Sequence, residues 1–197
     1  MISYKLLKTL KVRITQVLED YDSHSRPLKH FTAEAYFMKY SNGEEKEVVI
    51  ATIDAYKVYY SNYSFYLFDA ESSGMMSIAE GIEQYNKSGS LECSELINYV
   101  AIDRILVEKK YRNKGVGKFL LSSFIANTTK MGDGVFLYSC PFEKDESETE
   151  EVKEQKFERL KNYYKKLGFS EIEDSGVLFF EGGYVLSSGK IDELIDY

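Results

Sequence analysis

The hydrophobic pattern changes character midway along the chain. Residues 10 to 19 and the runs FTAEAYFMKY (31–40) and KEVVIATIDAYKVYY (46–60) set β-branched and aromatic residues in near alternation, the period of half-buried strands. Between the last two stands SNGE, whose Asn42-Gly43 pair signals a tight hairpin. YSFYLF (63–68) is a further strand candidate. SSGMMSIAEGIEQY (72–85) reads as a helix capped by Asp69, Ser72 or Ser73, although Gly74 and Gly81 weaken the pattern. A polar loop (86–95) leads into a strand at 97–107 that reads as buried. Helix 115–129, strand 134–140, an acidic loop 143–151 and helix 152–167 follow. FSEIE (169–173) and GVLFFEGGY (176–184) read as two strands joined at Asp174-Ser175-Gly176.

An antiparallel first half followed by a β-α-β-α series predicts an α/β (α+β) fold. Its expected form is a mixed central sheet of about six or seven strands with helices on both faces. The chain has 197 residues, 44% of them hydrophobic, enough for one core, and no repeat or long linker divides it. A single domain over 1–197 is therefore expected.

A net charge of −7 and a pI of about 5.1 argue against broad attraction to nucleic acid or anionic membrane, leaving room only for a local basic patch. The clustered tyrosines at 56 to 66 accordingly read as strand packing rather than a platform for bases. Cys93 and Cys140 are too few and too isolated for a disulfide framework or a four-ligand zinc site. His24 and His30 fall in a polar, Pro-containing stretch and read as loop residues rather than ligands. No metal is expected. The N-terminus shows no signal peptide, and no segment approaches the roughly 20 apolar residues that span a bilayer. A soluble, cytoplasmic protein is expected.

The chemistry concentrates at EKKYRNKGVGKFLL (108–121), where a strand-like run passes into a helix-like run through Arg-Asn-Lys-Gly-Val-Gly. A helix opening after such a turn presents unpaired N–H groups at the positive end of its dipole, a natural seat for phosphate. Gly115 and Gly117 let the backbone approach an anion closely. Arg112, Lys114 and Lys118 either add charge there or point to solvent. A dinucleotide fingerprint would need a small residue where Leu120 stands. A P-loop would need glycine at Arg112 and Ser or Thr at Phe119. Neither pattern fits.

IDRILVEKKYRNKGVGKFLLSSFI does closely resemble the acetyl-CoA-binding segment of the GNAT superfamily of N-acetyltransferases, and RLKNYYKKLGF resembles that family's second signature. Two signatures in order, with a strand between them, are far more specific than either alone. The clear resemblance covers about 97 to 184, and LFDAESS…MMSIAEGIEQY followed by YVAIDRILV resembles a bacterial branch of the family. It implies a GNAT-like acyl-CoA N-acyltransferase fold with acetyl-CoA as co-substrate. It also implies that Arg112, Asn113, Lys114, Gly115, Val116, Gly117 and Lys118 surround the pyrophosphate. The backbone of Ile105, Leu106 and Val107 would then meet the pantetheine arm. One departure is Phe157, which stands where many members carry a cofactor-binding Asn. Another is the helix at 72–85, which precedes the cofactor strand, whereas the usual layout puts the early helices between the first two strands.

Transfer to an amine requires that the amine lose a proton, the carbonyl oxygen find a donor and the leaving thiolate gain a proton. The family generally uses direct attack, so Cys140, at the end of an apolar strand, reads as core rather than nucleophile. Tyr164 matches the family's acid, and a phenol suits a thiolate of similar basicity. The alternative is a core tyrosine, since Phe157, Leu160, Tyr164 and Leu167 recur at helical spacing. Tyr163 is the reserve. Asp103, sharing a face with Ile105 and Val107 by strand alternation, is the candidate base, because apolar surroundings would raise its pKa. The alternative is a pair with Arg104, and Glu143 is a second candidate base. The acidic tract 143–151 reads as a solvated loop near the acceptor entrance. Expected partners are a small-molecule or peptide amine, no nucleic acid and no membrane, with a homodimer left open. A non-catalytic acyl-CoA-binding sensor is the alternative function.

Overall fold

The computed structural model describes residues 8–17, 28–59, 72–88, 98–141 and 148–181. The strand expected at 63–68, His24, Cys93 and Glu143 lie outside the described residues. Strands β1 (Lys11–Gln16), β2 (Leu28–Ser41) and β3 (Glu44–Tyr59) precede helix α1 (Ser73–Ser88) and strand β4 (Asn98–Val107). Helix α2 (Val116–Thr128), β5 (Asp133–Tyr138), α3 (Glu150–Lys166), β6 (Ser170–Glu171) and β7 (Val177–Glu181) follow. Together the strands form a seven-stranded sheet in the order β1-β2-β3-β4-β5-β7-β6. Only β4 and β5 run parallel; every other pair is antiparallel. The β2–β3 hairpin closes at Asn42 and Gly43, whose φ angles of 56° and 83° are the left-handed pair that a twisted two-residue turn requires.

Alternation in the central strands divides the core between the two faces. Val100 and Ile102 of β4 and Val135 and Leu137 of β5 pack with α2 and Tyr164 of α3. Tyr99, Ala101 and Phe136 turn the other way, against Met75, Ile78 and Ile82 of α1. A parallel strand pair buried on both faces is why YVAI and VFL read as unbroken apolar runs. Phe136 centres the second face, with the rings of Tyr99, Tyr85 and Phe179 at 5.6, 5.9 and 5.0 Å.

Gly81 is a requirement of packing here, although it lowers helix propensity. A Cβ at this position would stand 2.7 Å from that of Val177, so α1 lies on β7 with nothing between them. Two expectations are corrected. His30 belongs to β2 and not to a loop; its ring stacks on Tyr56 at 4.7 Å, because the strand begins at Leu28, directly after the polar stretch. Cys140 is exposed rather than core, because β5 ends two residues earlier at Tyr138. No described helix is long and apolar enough to cross a membrane.

Gly81→Ala forces a methyl into Val177, and overpacking of this kind costs about 1–3 kcal/mol. A lowered denaturant midpoint with unchanged slope is the expected result of urea unfolding.

Candidate acyl-donor site

The site begins with a mismatch of one residue. In the β3–β4 ladder Asp54 pairs with Arg104 and Ala55 pairs with Ile102, so Asp103 has no opposite number and forms a bulge. Parallel pairing of β4 with β5 ends at Ile102↔Leu137. From Asp103 to Val107 the β5 side of β4 therefore carries backbone groups that no described strand completes. These residues are half-buried, so the edge is open to water or to another partner.

The bulge also reverses which residues face which layer. Past it, Ile105 and Val107 pack with the α2 face, while Asp103 turns towards α1. This corrects the expectation that Asp103 shares a face with them in apolar surroundings. Its Oδ1 accepts a 2.6 Å hydrogen bond from Ser72 Oγ, which itself accepts from the Met75 N–H at 3.1 Å and so caps α1. Arg104 lies 4.0 Å from the other oxygen, the pairing considered from sequence.

A short 3-10 turn (Lys109–Tyr111) leads from β4 to α2. Arg112 Nε donates to Val107 O at 2.8 Å, and Lys114 donates to Lys110 O, so both fold back onto the turn. Asn113 at φ 58° and Gly115 at φ 80° make two left-handed steps that aim α2 back along the sheet. Gly115 is the N-cap, and no side chain caps the helix. The amides of the first turn thus receive no hydrogen bond from a cap side chain. Gly117 is bare where a Cβ would sit 3.4 Å from Val107 Cγ2 and 3.6 Å from the Tyr163 hydroxyl. A closely approachable, uncapped helix start beside cations suits a diphosphate.

Helix α3 brings both tyrosines to this region and separates their environments. Tyr164 is 7% exposed, in the first core layer, with Phe169 at 6.0 Å. Burial first, and the neighbouring Tyr163 second, push its phenol well above the ordinary value. Tyr163 is 38% exposed, its hydroxyl towards α2, and burial raises it as well. The end of α3 is held firmly: Leu167 and Phe169 N–H groups both donate to Tyr164 O, at 2.9 and 3.2 Å. Glu171 of β6 receives Lys165 at 2.6 Å and Lys161 at 3.2 Å. Burial works to raise the Glu171 carboxyl, but these lysines outweigh it and hold it below its ordinary value.

Phe157 does not face the helix mouth. Its ring packs 5.9 Å from Tyr138, over Gly176, where a Cβ would stand 2.5 Å from Phe157 Cζ. The structure thus gathers Val107, the loop from Arg112 to Lys118 and Tyr163, with Tyr164 beneath. Asp103 stands on the α1 side of the same strand. Sequence reasoning held Tyr163 only in reserve and missed Ser72 as the partner of Asp103; neither residue carries a local signal of these contacts. No group of three or more His, Cys, Asp or Glu side chains able to hold a metal occurs among the described residues.

The family described as acetyltransferase (GNAT) domain matches residues 61–171. No curated protein matches the chain. Among solved structures, similarity extends to the KacTA–DNA complex, at 12% identity over 94% of this chain and 99% of that one, with TM-score 0.43. AtaTR bound with AcCoA is 12% identical over 95% and 99%, with TM-score 0.40. AtaT complexed with acetyl-methionyl-tRNAfMet is 14% identical over 95% and 100%, with TM-score 0.38. The expectation of a small-molecule or peptide amine as partner and of no nucleic acid is not matched by these neighbours, whose own descriptions name DNA, an antitoxin or a tRNA. Net charge is an average and does not by itself exclude such a partner: an acidic chain still has Lys109, Lys110, Arg112, Lys114 and Lys118 within one short segment.

Gly115→Ala places a side chain in the left-handed region and is expected to destabilise the fold by about 1–2 kcal/mol. Gly117→Ala meets only ordinary contacts and should leave the melting temperature unchanged while weakening acetyl-CoA in calorimetric titration. Glu171→Gln removes a carboxylate whose depressed pKa adds stability above the unfolded value, stability that is lost as pH falls through the folded one. Against the parent, urea unfolding of this variant should show lower stability at neutral pH and a flatter decline on acidification.

Proposed function

Because the chain belongs to the GNAT acetyltransferase family, whose co-substrate is acetyl-CoA, we propose that it transfers the acetyl group to a primary amine by direct attack. We further propose that residues 1–197 act as one domain, in the cytoplasm, where the co-substrate is found. The observation that carries the reading is the uncapped start of α2 at Gly115, lying beside a β4 edge that β5 has left. Bound there, acetyl-CoA supplies an activated acetyl group as a thioester.

The chain's own residues then have distinct tasks. The amides of Val116, Gly117 and Lys118 receive the diphosphate, with Arg112, Asn113, Lys114 and Gly115 shaping the loop around it. The Tyr163 hydroxyl, next to Gly117, adds a polar contact on the side where Phe157 offers none. Ile105, Leu106 and Val107 present backbone groups to the pantetheine arm along the open edge. Tyr164 gives its proton to the departing sulfur, and burial keeps it protonated through the neutral range. Asp103, on the opposite side of β4, takes the proton released by the amine as nitrogen bonds to the acetyl carbon and the carbon–sulfur bond breaks.

Tyr164→Phe should bind acetyl-CoA as the parent does while thiol release, measured across a panel of amine acceptors, falls roughly 100-fold. Unchanged turnover in this variant would remove Tyr164 from the chemistry. Asp103→Asn keeps an acceptor for Ser72 but not the basicity. Its rate should fall at neutral pH and recover as pH rises enough to deprotonate the amine unaided; a deficit independent of pH would make Asp103 a support for α1 only.

A further inference from the structure

Helix α1 carries two glycines in different surroundings. Gly81 lies against Val177, and packing demands it. Gly74, in the first turn, is another matter. Its φ is not among the left-handed ones, so alanine fits the backbone there. Among the described residues a Cβ at Gly74 would meet only Asp103 Oδ1 and Ser72 Oγ, each at 3.7 Å, an ordinary van der Waals distance. Glycine nevertheless raises the conformational entropy lost on folding. Neither crowding nor backbone shape accounts for it. What the position does adjoin is the carboxylate assigned as base.

The same place is where β4 and β5 part. Their last pair is Ile102↔Leu137, and the next residue on each strand, Asp103 and Tyr138, turns to the α1 side. Tyr138 is held from behind: the Phe157 ring is 5.9 Å away, and a Cβ on Gly176 would stand 3.1 Å from Tyr138 Cε2. Asp103 is held by the 2.6 Å bond from Ser72. The mouth between the strands thus has a fixed aromatic wall, a fixed carboxylate and, at Gly74, a wall of bare backbone. An amine nitrogen hydrogen-bonded to a carboxylate carries its attached carbon about 3.5–4 Å from the oxygen. A Cβ at Gly74 would stand at that same distance from Asp103.

We propose that Gly74 is a specificity-determining residue of the acceptor site, its bare backbone leaving room beside Asp103 for an amine borne on a branched carbon. The inference rests on the acetyl-transfer reading and on Asp103 as its base. With the nitrogen at Asp103, one branch of the carbon lies on Gly74 and the other faces the Tyr138 ring. A methyl group at 74 competes with the first branch. An amine without branches turns its single substituent away and feels the methyl less.

The test compares the full chain with its Gly74→Ala and Gly81→Ala variants, using methylamine and isopropylamine, acceptors of nearly equal basicity. Urea unfolding should give Gly74→Ala a raised midpoint, the opposite of Gly81→Ala. In thiol-release assays, kcat/KM for isopropylamine relative to methylamine should fall roughly tenfold in Gly74→Ala. The ratio should keep its parental value in Gly81→Ala, and calorimetric affinity for acetyl-CoA should be the same in all three. A lowered midpoint for Gly74→Ala would mean that the fold itself requires the glycine. An unaltered ratio, or an equal fall in Gly81→Ala, would remove position 74 from acceptor choice. Either result overturns the inference while acetyl transfer stands. A parent that binds acetyl-CoA yet releases no thiol with either amine would overturn the transfer reading, and this inference with it.

Discussion

The parallel ladder between β4 and β5 holds the middle of the sheet, and it ends at Ile102↔Leu137 while β4 runs on to Val107. Burial on both faces gives this pair a place in both core layers. Its early end leaves half-buried polar backbone without a neighbouring strand among the described residues. The single unpaired residue at Asp103 is what lets β4 continue along β3 while it leaves β5. From this follow the direction of the open edge, the approach of α2 to Val107, and the turning of Asp103 towards Ser72.

Much of this architecture was legible in the sequence, because it rests on local rules. Asn42-Gly43 specifies its own turn, the runs around Val100 and Val135 are apolar without interruption, and Gly115 marks a conformation that other residues resist. The bulge was not legible. It is a difference in count between two strands, so it belongs to the β3–β4 pair and leaves no mark in β4 alone. Alternation counted straight through Asp103 consequently put it on one face with Ile105 and Val107, which the bulge separates from it. His30 and Cys140 were misread for a related reason: strand ends are set by where pairing starts and stops, here at Leu28 and Tyr138, more than by the polarity of nearby residues.

Adjacent residues on α3 illustrate how a helix divides labour. Tyr163 and Tyr164 have rings 5.2 Å apart, yet one meets the mouth of α2 and the other the core. Composition could not separate them, since both are phenols in the same signature. Charge behaves similarly. The sum over the chain is negative, whereas the segment from Lys109 to Lys118 holds five cations, and a ligand senses the segment it touches.

The seat of Phe157 over Gly176 has an evolutionary consequence. Gly176 is left-handed at φ 74° and has no room for a Cβ beneath the ring, so the aromatic residue at 157 and the glycine at 176 form one steric unit. A lineage that exchanged Phe157 for a smaller polar side chain would relax most of the space limit at 176, leaving the edge of Tyr138, 3.1 Å from a Cβ there, and the backbone preference for Gly or Asn. Divergent descendants of this chain should accordingly change these two positions together, nineteen residues apart in sequence yet inherited as a pair.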